Sequence, residues 1–164
     1  MPLVFIRPAS AAEPVEIELD VKNTGSPSQV QIFTMREYPD ITFEISTQRY
    51  RYKDSPRFAA KLQIKGSINR EFYYLDRIIL ADLNGDGYRE LFLEDRAFIG
   101  GNEYNQVSVC DVKNNRFYNI ATGTQDTWAI DDRLKIEENS IVIERTYHPL
   151  GLLEKRVTTC SLRL

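Results

Sequence analysis

The chain has 164 residues, enough for one domain with a substantial core that needs neither metals nor disulfides to fold. Its 21 basic and 24 acidic residues give a net charge of −3, too weak a field to attract nucleic acid or an anionic membrane. No apolar run approaches the ~20 residues that span a bilayer. Nine Tyr, eight Phe and one Trp, with many Val, Ile and Thr, predict a mostly β protein.

The N-terminal 14 residues admit two interpretations. Leu3 to Ile6, followed by small residues up to Ala12, match the end of a secretory signal cleaved after Ala11, or an ordinary frayed terminus. With a signal, the protein would be periplasmic or secreted. Residues 15–164 contain no linker and are predicted to form a single β domain.

The two cysteines, Cys110 and Cys160, also have two interpretations. In an exported protein they could form a disulfide that closes a loop of about 50 residues, whereas in the cytosol both would be buried thiols.

Almost every predicted element is a strand. In Val15 to Val21, apolar and acidic residues alternate, which places them on opposite faces of a half-buried strand. Turn residues separate further strand-like runs at 30–33, 41–45, 61–65, 72–81, 90–94, 106–112, 117–120, 140–147 and 155–162. Turns are predicted at Tyr38-Pro39-Asp40, at Lys113 to Arg116 and at Glu138-Asn139. This order predicts antiparallel meander sheets.

The segment Gln48 to Lys53 interleaves basic and aromatic residues, as single-strand nucleic-acid binders do. On a strand, its three basic residues share one face and its two tyrosines share the other. Because the whole chain is acidic, we favour a solvated face opposite a packed face and predict no nucleic-acid partner.

Residues 82–90, Asp-Leu-Asn-Gly-Asp-Gly-Tyr-Arg-Glu, have the pattern of a calcium loop. Oxygen donors stand at positions one, three, five and nine, and a glycine at position six permits the sharp turn that lets a short loop surround the ion. The predicted ligands are the side chains of Asp82, Asn84 and Asp86, the carbonyl of Tyr88, and Glu90 directly or through water.

The loop is not an EF-hand, because both flanks are strand-like and position twelve is Leu93 instead of a bidentate Glu. Water, Glu94 or Asp95 would complete the coordination. The alternative is a metal-free turn in which Asp and Asn cap backbone amides. We favour calcium because three carboxylates within nine residues would otherwise repel one another.

Residues 79–91 resemble the calcium loop of FG-GAP and VCBS repeats, which binds calcium within a β-hairpin. The chain has one copy, whereas a closed propeller needs several blades. The resemblance implies a calcium-binding hairpin loop within propeller-like or sandwich-like meander sheets.

A second resemblance covers residues 75–120. The loop is followed by Gly100-Gly101-Asn102-Glu103-Tyr104, a strand and a turn into Arg116-Phe117. This order is similar to bacterial periplasmic proteins related to i-type lysozyme inhibitors, which block muramidases by inserting a loop into the active-site cleft. The resemblance implies that residues 100–104 form a binding loop.

No catalytic constellation is visible. His148 is the only histidine, so a multi-His metal centre is excluded, and any histidine-based triad would have to use this one residue. Asp131-Asp132 and Glu137-Glu138 are interpreted as charged surface, and Trp128 as core. The sequence therefore predicts a protein that is not an enzyme.

The leading hypothesis is an exported calcium-binding β domain that acts as a binding or interaction module for a protein partner. Calcium is structural, and Phe98 to Gln106 is the contact loop. The alternative is a periplasmic inhibitor of a lysozyme-like hydrolase that uses the same loop.

Overall fold

The computed structural model describes residues 13–19, 30–82, 84–99, 101–119, 128–137, 140–149 and 156–163. For residues 99, 128–131, 140, 145–149 and 156–163 it describes the backbone alone. The regular elements in these ranges are eleven strands: β1 (Val15–Ile17), β2 (Gln31–Met35), β3 (Tyr38–Tyr52), β4 (Ser55–Gly66), β5 (Arg70–Ala81), β6 (Glu90–Ile99), β7 (Asn102–Asp111), β8 (Arg116–Asn119), β9 (Trp128–Glu137), β10 (Ser140–Pro149) and β11 (Arg156–Arg163). The prediction of a mostly β protein is confirmed. Within the same ranges, no helix is long and apolar enough to cross a membrane.

The larger sheet is an antiparallel meander in which β2 to β8 lie side by side in chain order. β1 is the exception, because it pairs with Ile78–Leu80 of β5 on the edge opposite β6. A smaller sheet has the order β11-β10-β9. The predicted antiparallel meander is confirmed, and the choice between a propeller-like and a sandwich-like arrangement stays a prediction.

β5 forms a corner between two halves of the larger sheet. Its first half pairs with β4 and its second half pairs with β6 and β1. Between the halves, Tyr74 has a φ of +58° and the register with β6 shifts between Leu75 and Arg77. An irregularity of this kind bends a strand and increases its twist.

The corner lets the sheet curl round on itself. In a flat sheet with strands ~4.8 Å apart, β5 and β8 would be separated by about 14 Å. The rings of Phe72 on β5 and Phe117 on β8 nevertheless lie 5.4 Å apart between centroids. At the other end of the curl, the Tyr38 hydroxyl donates a hydrogen bond to the Arg89 carbonyl at 3.0 Å.

The curl encloses the first apolar core. This core draws on β2 to β7, and among its largest fully buried side chains are Phe43, Leu62, Ile64, Leu75, Ile78, Leu91 and Leu93. The smaller sheet covers the outer face of β5, β6 and β7, where a second core contains Ile79, Phe92, Val107, Leu134, Ile141 and Ile143. Alternate residues of β5 and β6 therefore pack into different cores, as the period of two requires.

The predicted turn at Tyr38-Pro39-Asp40 is wrong. These residues begin β3, and the turn is made instead by Arg36 and Glu37. Proline is tolerated near the start of a strand and beside an irregularity, and here the β2–β3 register shifts between Phe33 and Met35. The predicted turn before Phe117 lies at residues 112–115, where Asn115 adopts a φ of +51°.

β3 and β4 extend beyond their neighbours as a two-stranded arm. β2 pairs with β3 only as far as Ile45, and β5 pairs with β4 only from Ala60 onwards. β3 and β4 nevertheless pair with each other out to Tyr52 and Ser55. We call residues 46–59 the β3–β4 arm. At ~3.4 Å per residue it reaches about 24 Å past the end of the β2–β3 pairing.

Candidate functional site

The predicted calcium loop joins β5 to β6, whose strands pair from Ala81 and Glu90 outwards. The Asp82 carboxylate accepts hydrogen bonds from the amides of Asp86 at 3.1 Å and Gly87 at 2.8 Å. Asn84 Oδ1 also accepts from the Asp86 amide at 2.9 Å, and Asp86 Oδ1 accepts from the Tyr88 amide at 2.9 Å. Three of the five predicted ligands therefore converge on the backbone of residues 86–88. Leu83 lies outside the described residues.

A lysine from the β7–β8 turn lies against the same loop. Lys113 Nζ is 2.7 Å from Asp86 Oδ2 and 4.1 Å from the centre of the Tyr88 ring. The hydrogen bond from Lys113, followed by the one from the Tyr88 amide, holds the pKa of Asp86 below its usual value. The Lys113 ammonium group therefore places a positive charge beside the Asp86 carboxylate of the loop.

The donor chemistry of the loop fits a hard cation, because Asp82, Asn84 and Asp86 all present oxygen atoms. Glu90, the fourth side-chain ligand predicted, is buried at the start of β6 and has interactions of its own. Across the described residues, no group of three or more His, Cys, Asp and Glu side chains is placed to hold a metal ion. The amide caps of the metal-free alternative are present, so calcium binding stays a prediction.

Glu94, predicted as a further ligand, is engaged elsewhere. Its side chain is 2% exposed and accepts hydrogen bonds from Asn105 Nδ2 at 2.6 Å, Leu134 N at 2.8 Å and Arg133 Nη1 at 3.2 Å. These contacts connect β6 to β9 of the smaller sheet. The carboxylate of Glu94 is therefore a structural link between the two sheets, and the structure does not place it at the loop.

Of the predicted binding loop, residues 100–104, Gly101 lies in the turn of the β6–β7 hairpin, whereas Asn102 to Tyr104 begin strand β7, so the prediction of a loop is wrong for these three residues. This end of the hairpin lies against the β3–β4 arm. Gly101 adopts a φ of +77°, a conformation that favours glycine, and Gly100 lies outside the described residues. The Tyr52 hydroxyl donates to the Gly101 carbonyl at 3.2 Å and accepts from the Glu103 amide at 3.1 Å. Lys53 Nζ donates to Asn102 Oδ1 at 3.2 Å. The two hairpin tips are thereby held together.

Aromatic rings fill the contact between the arm and the hairpin. The Phe98 ring lies 5.9 Å from Tyr50, 6.0 Å from Tyr52 and 5.5 Å from Tyr74, measured between centroids. We call these four residues the aromatic cluster. Phe98 remains 46% exposed although it touches three other rings. The cluster therefore presents a fixed apolar surface to solvent.

An arginine supports the cluster from the side of β6. Arg96 donates through two nitrogens to the carboxylate of Asp76 and through a third to the Tyr50 hydroxyl. Its Nη1 also lies 3.5 Å from Glu103 Oε1, and the Tyr50 hydroxyl donates to Glu103 Oε2 at 3.3 Å. Bidentate contacts of this kind fix the geometry of both partners. No pattern along the chain signals this network, because its members come from β3, β5, β6 and β7.

Further sequence predictions have mixed outcomes. Cys110 is a buried free thiol, so of the two interpretations of the cysteines the structure gives the disulfide with Cys160 no support. Burial raises the pKa of the Cys110 thiol to about 11. The side chain of Cys160 lies outside the described residues, as do those of Trp128 and His148.

The prediction that Asp132 is charged surface is wrong, since Asp132 is fully buried and has interactions within the fold.

The three kinds of comparison with known proteins agree. No protein-family model matches this chain, and neither a curated protein nor a solved structure matches it. The role of the protein is therefore inferred from its own contacts.

Proposed function

We propose that this chain is an exported calcium-binding β domain that acts as a binding or interaction module for another protein, with calcium in a structural role. The observation that carries the proposal is the fixed surface formed by the β3–β4 arm and the β6–β7 hairpin. Phe98 is half exposed at its centre, and hydrogen bonds hold the two tips at Tyr52 and Gly101. A partner would meet a surface that is already ordered, which lowers the entropic cost of binding.

Calcium has its place in this proposal at the turn between β5 and β6. The ion would bind Asp82, Asn84 and Asp86 and would neutralise carboxylates that Lys113 balances only in part. Because β6 leads from this loop directly to Phe98, a fixed start of β6 supports the surface at its far end. Calcium therefore stabilises the scaffold and takes no part in chemistry.

Thermal unfolding tests the calcium part. Chelator-treated protein is melted once in EGTA and once with calcium. Calcium at 100 times its dissociation constant should add about 2.7 kcal/mol to the free energy of unfolding. The double variant Asp82→Asn/Asp86→Asn should lose the calcium-dependent increase in melting temperature, and the exposed control Asp40→Asn should keep it. Equal melting temperatures with calcium and with EGTA would remove calcium from the proposal.

Site-specific crosslinking tests the interaction part. A photoreactive phenylalanine analogue is placed at Phe98 in the cells that produce the protein, and the same analogue at Tyr118, which is 48% exposed on β8, serves as the control. We expect discrete crosslinked adducts at position 98 that are absent at position 118. Identical patterns at both positions would contradict a dedicated surface at the aromatic cluster.

A second candidate, a periplasmic inhibitor of a lysozyme-like hydrolase, is favoured by the shape of the β6–β7 tip. Gly101 and Asn102 are exposed at the end of a hairpin whose position is fixed by the arm. An inserting loop needs this combination of exposure and rigidity. Muramidase activity measured with increasing protein tests the candidate, and full activity at a large molar excess would eliminate it.

A further inference from the structure

Among the described residues, no strand pairs with the outer edge of β3 along the β3–β4 arm. In the ranges that the structure describes, β2 ends its pairing with β3 at Ile45, and residues 46–52 pair with β4 alone. With respect to the part of the chain that the structure describes, the backbone groups on the other side of these residues are available to a further strand. The corresponding edge of β4 is less suitable, because Pro56 has no N–H to donate.

The two faces of this edge differ in chemistry. Arg49 and Arg51 are exposed on one face, and the described residues include no acid within ion-pair distance of either. In contrast, Arg77, Arg89 and Arg96 all bind carboxylates. On the other face of β3, Tyr50 and Tyr52 contact the exposed ring of Phe98. A strand added here would meet cations on one face and aromatic rings on the other.

We propose that the β3 edge of the arm binds an extended segment of a partner protein by strand addition, and that this segment alternates acidic with apolar or aromatic residues. Side chains of a strand point alternately to the two faces, so the acids would meet Arg49 and Arg51 while the apolar residues meet the aromatic cluster. The inference rests on the proposed role as an interaction module and gives the chemistry of its partner.

A protein segment fits this surface better than a single-stranded nucleic acid. Bases need open ring faces on which to stack. Here the planes of Tyr50 and Tyr74 meet at 76° and those of Tyr74 and Phe98 at 81°, so the rings of the cluster pack edge to face against one another. Lys53 is engaged by Asn102 and by the Tyr52 ring. The surface that remains is one exposed ring beside a row of backbone groups, which suits a β-strand.

The test uses three synthetic heptapeptides and NMR spectra of the ¹⁵N-labelled full chain. The first probe alternates, Glu-Val-Asp-Phe-Glu-Val-Asp. The second has the same composition with its acids grouped at one end, and the third replaces Glu with Gln and Asp with Asn. We expect the alternating acidic peptide to shift the amide signals of residues 46–52 and 98–103. It should also slow hydrogen exchange at the outward-facing amides of residues 46–52.

Charge variants test the role of the two arginines. Arg49→Gln/Arg51→Gln should weaken binding of the alternating acidic peptide by about tenfold, as expected for two exposed ion pairs. The control Arg36→Gln removes an exposed arginine in the β2–β3 turn and should leave binding unchanged. Arg49→Glu/Arg51→Glu should instead bind a peptide in which Lys replaces the acids. Melting temperatures of all variants verify that they fold.

Several results would overturn the inference. Equal binding of the neutral peptide would refute an acidic partner while leaving the interaction surface in place. Slow exchange of the outward-facing amides in the free protein would mean that the edge is already paired. Tighter binding of oligothymidylate at the same residues would identify a nucleic acid instead. Shifts at the arm that depend on protein concentration alone would identify a second copy of the chain, and no shift with any peptide would refute strand addition.

Discussion

Replacing Asp95 by Asn should stabilise the protein at neutral pH. Asp95 lies on β6 opposite Gln106 of β7, and its Oδ1 is buried without a hydrogen-bond partner among the described residues. Burial raises the pKa of this carboxyl from 3.8 to about 6. A hydrogen bond with Gln106 lowers the pKa and the nearby charge of Asp76 raises it, both by less than burial does. The folded state therefore holds the proton more tightly than the unfolded state does.

The sign of the pH dependence follows from the raised pKa. The contribution of Asp95 to stability is fully present below its unfolded pKa near 4 and is lost as the pH rises through about 6. The full difference in pKa corresponds to about 3 kcal/mol. Asp95 is partly exposed, and solvent screening reduces this to about 1–2 kcal/mol. Asp95→Asn removes the charge and should raise the free energy of unfolding by that amount at pH 7.

Urea unfolding followed by circular dichroism at pH 4, 5, 6, 7 and 8 measures this effect. The quantity of interest is the difference between Asp95→Asn and the wild type, which cancels the contributions of other titrating groups. We expect the difference to be near zero at pH 4 and to grow up to pH 7. Asp40→Asn, at an exposed position, should show no such growth. A difference that stays constant across this range, or a variant less stable than the wild type at pH 7, would refute the reasoning.

Three further substitutions test other parts of the fold by the same unfolding measurement. Glu94→Ala leaves three donors without their acceptor and should cost about 3 kcal/mol, whereas Glu94→Gln keeps one acceptor and should cost about 1 kcal/mol. Asp54→Gly should add about 0.5 kcal/mol, because Asp54 has positive φ in a two-residue hairpin turn and glycine adopts that conformation without strain; lower stability would contradict this turn. Gly66→Ala should cost at least about 2 kcal/mol, because its Cβ would lie 2.1 Å from the Asp40 carbonyl oxygen, and an unchanged midpoint would contradict that contact.

The meander can be predicted from the sequence because the information that specifies it is local. In Ile41 to Ile45 the period of two is strong, and sequential strands joined by short turns pair with their neighbours. The strand β9 lacks such a clear period, since its apolar positions are interrupted by Asp131, Asp132 and Arg133. Asp132 is buried because β9 packs against the larger sheet, and the sequence of β9 alone does not indicate this. Charge along a strand therefore does not by itself identify a solvent face.

The candidate site is predictable to the same limited extent. Asp82, Asn84 and Asp86 are close in sequence, so their convergence follows from one short turn. Tyr50 and Phe98 are joined only because β5 turns a corner and the arm crosses to β6. No pattern along the chain specifies how far a sheet curls. The alternation separates Arg49 and Arg51 from Tyr50 and Tyr52, but the prediction is wrong for Lys53, which lies in the turn after β3 and donates to Asn102. The alternation also does not reveal what the aromatic face touches.

The position of β1 has a consequence for the order of folding. β2 to β8 can form by successive hairpins, each between neighbours in the chain. β1 instead pairs Val15 with Leu80, so its docking must close a loop of more than sixty residues. Closing that loop costs conformational entropy before the strand gains any contact. β1 should therefore join last, and during synthesis from the N-terminus it has to wait unpaired until β5 has emerged.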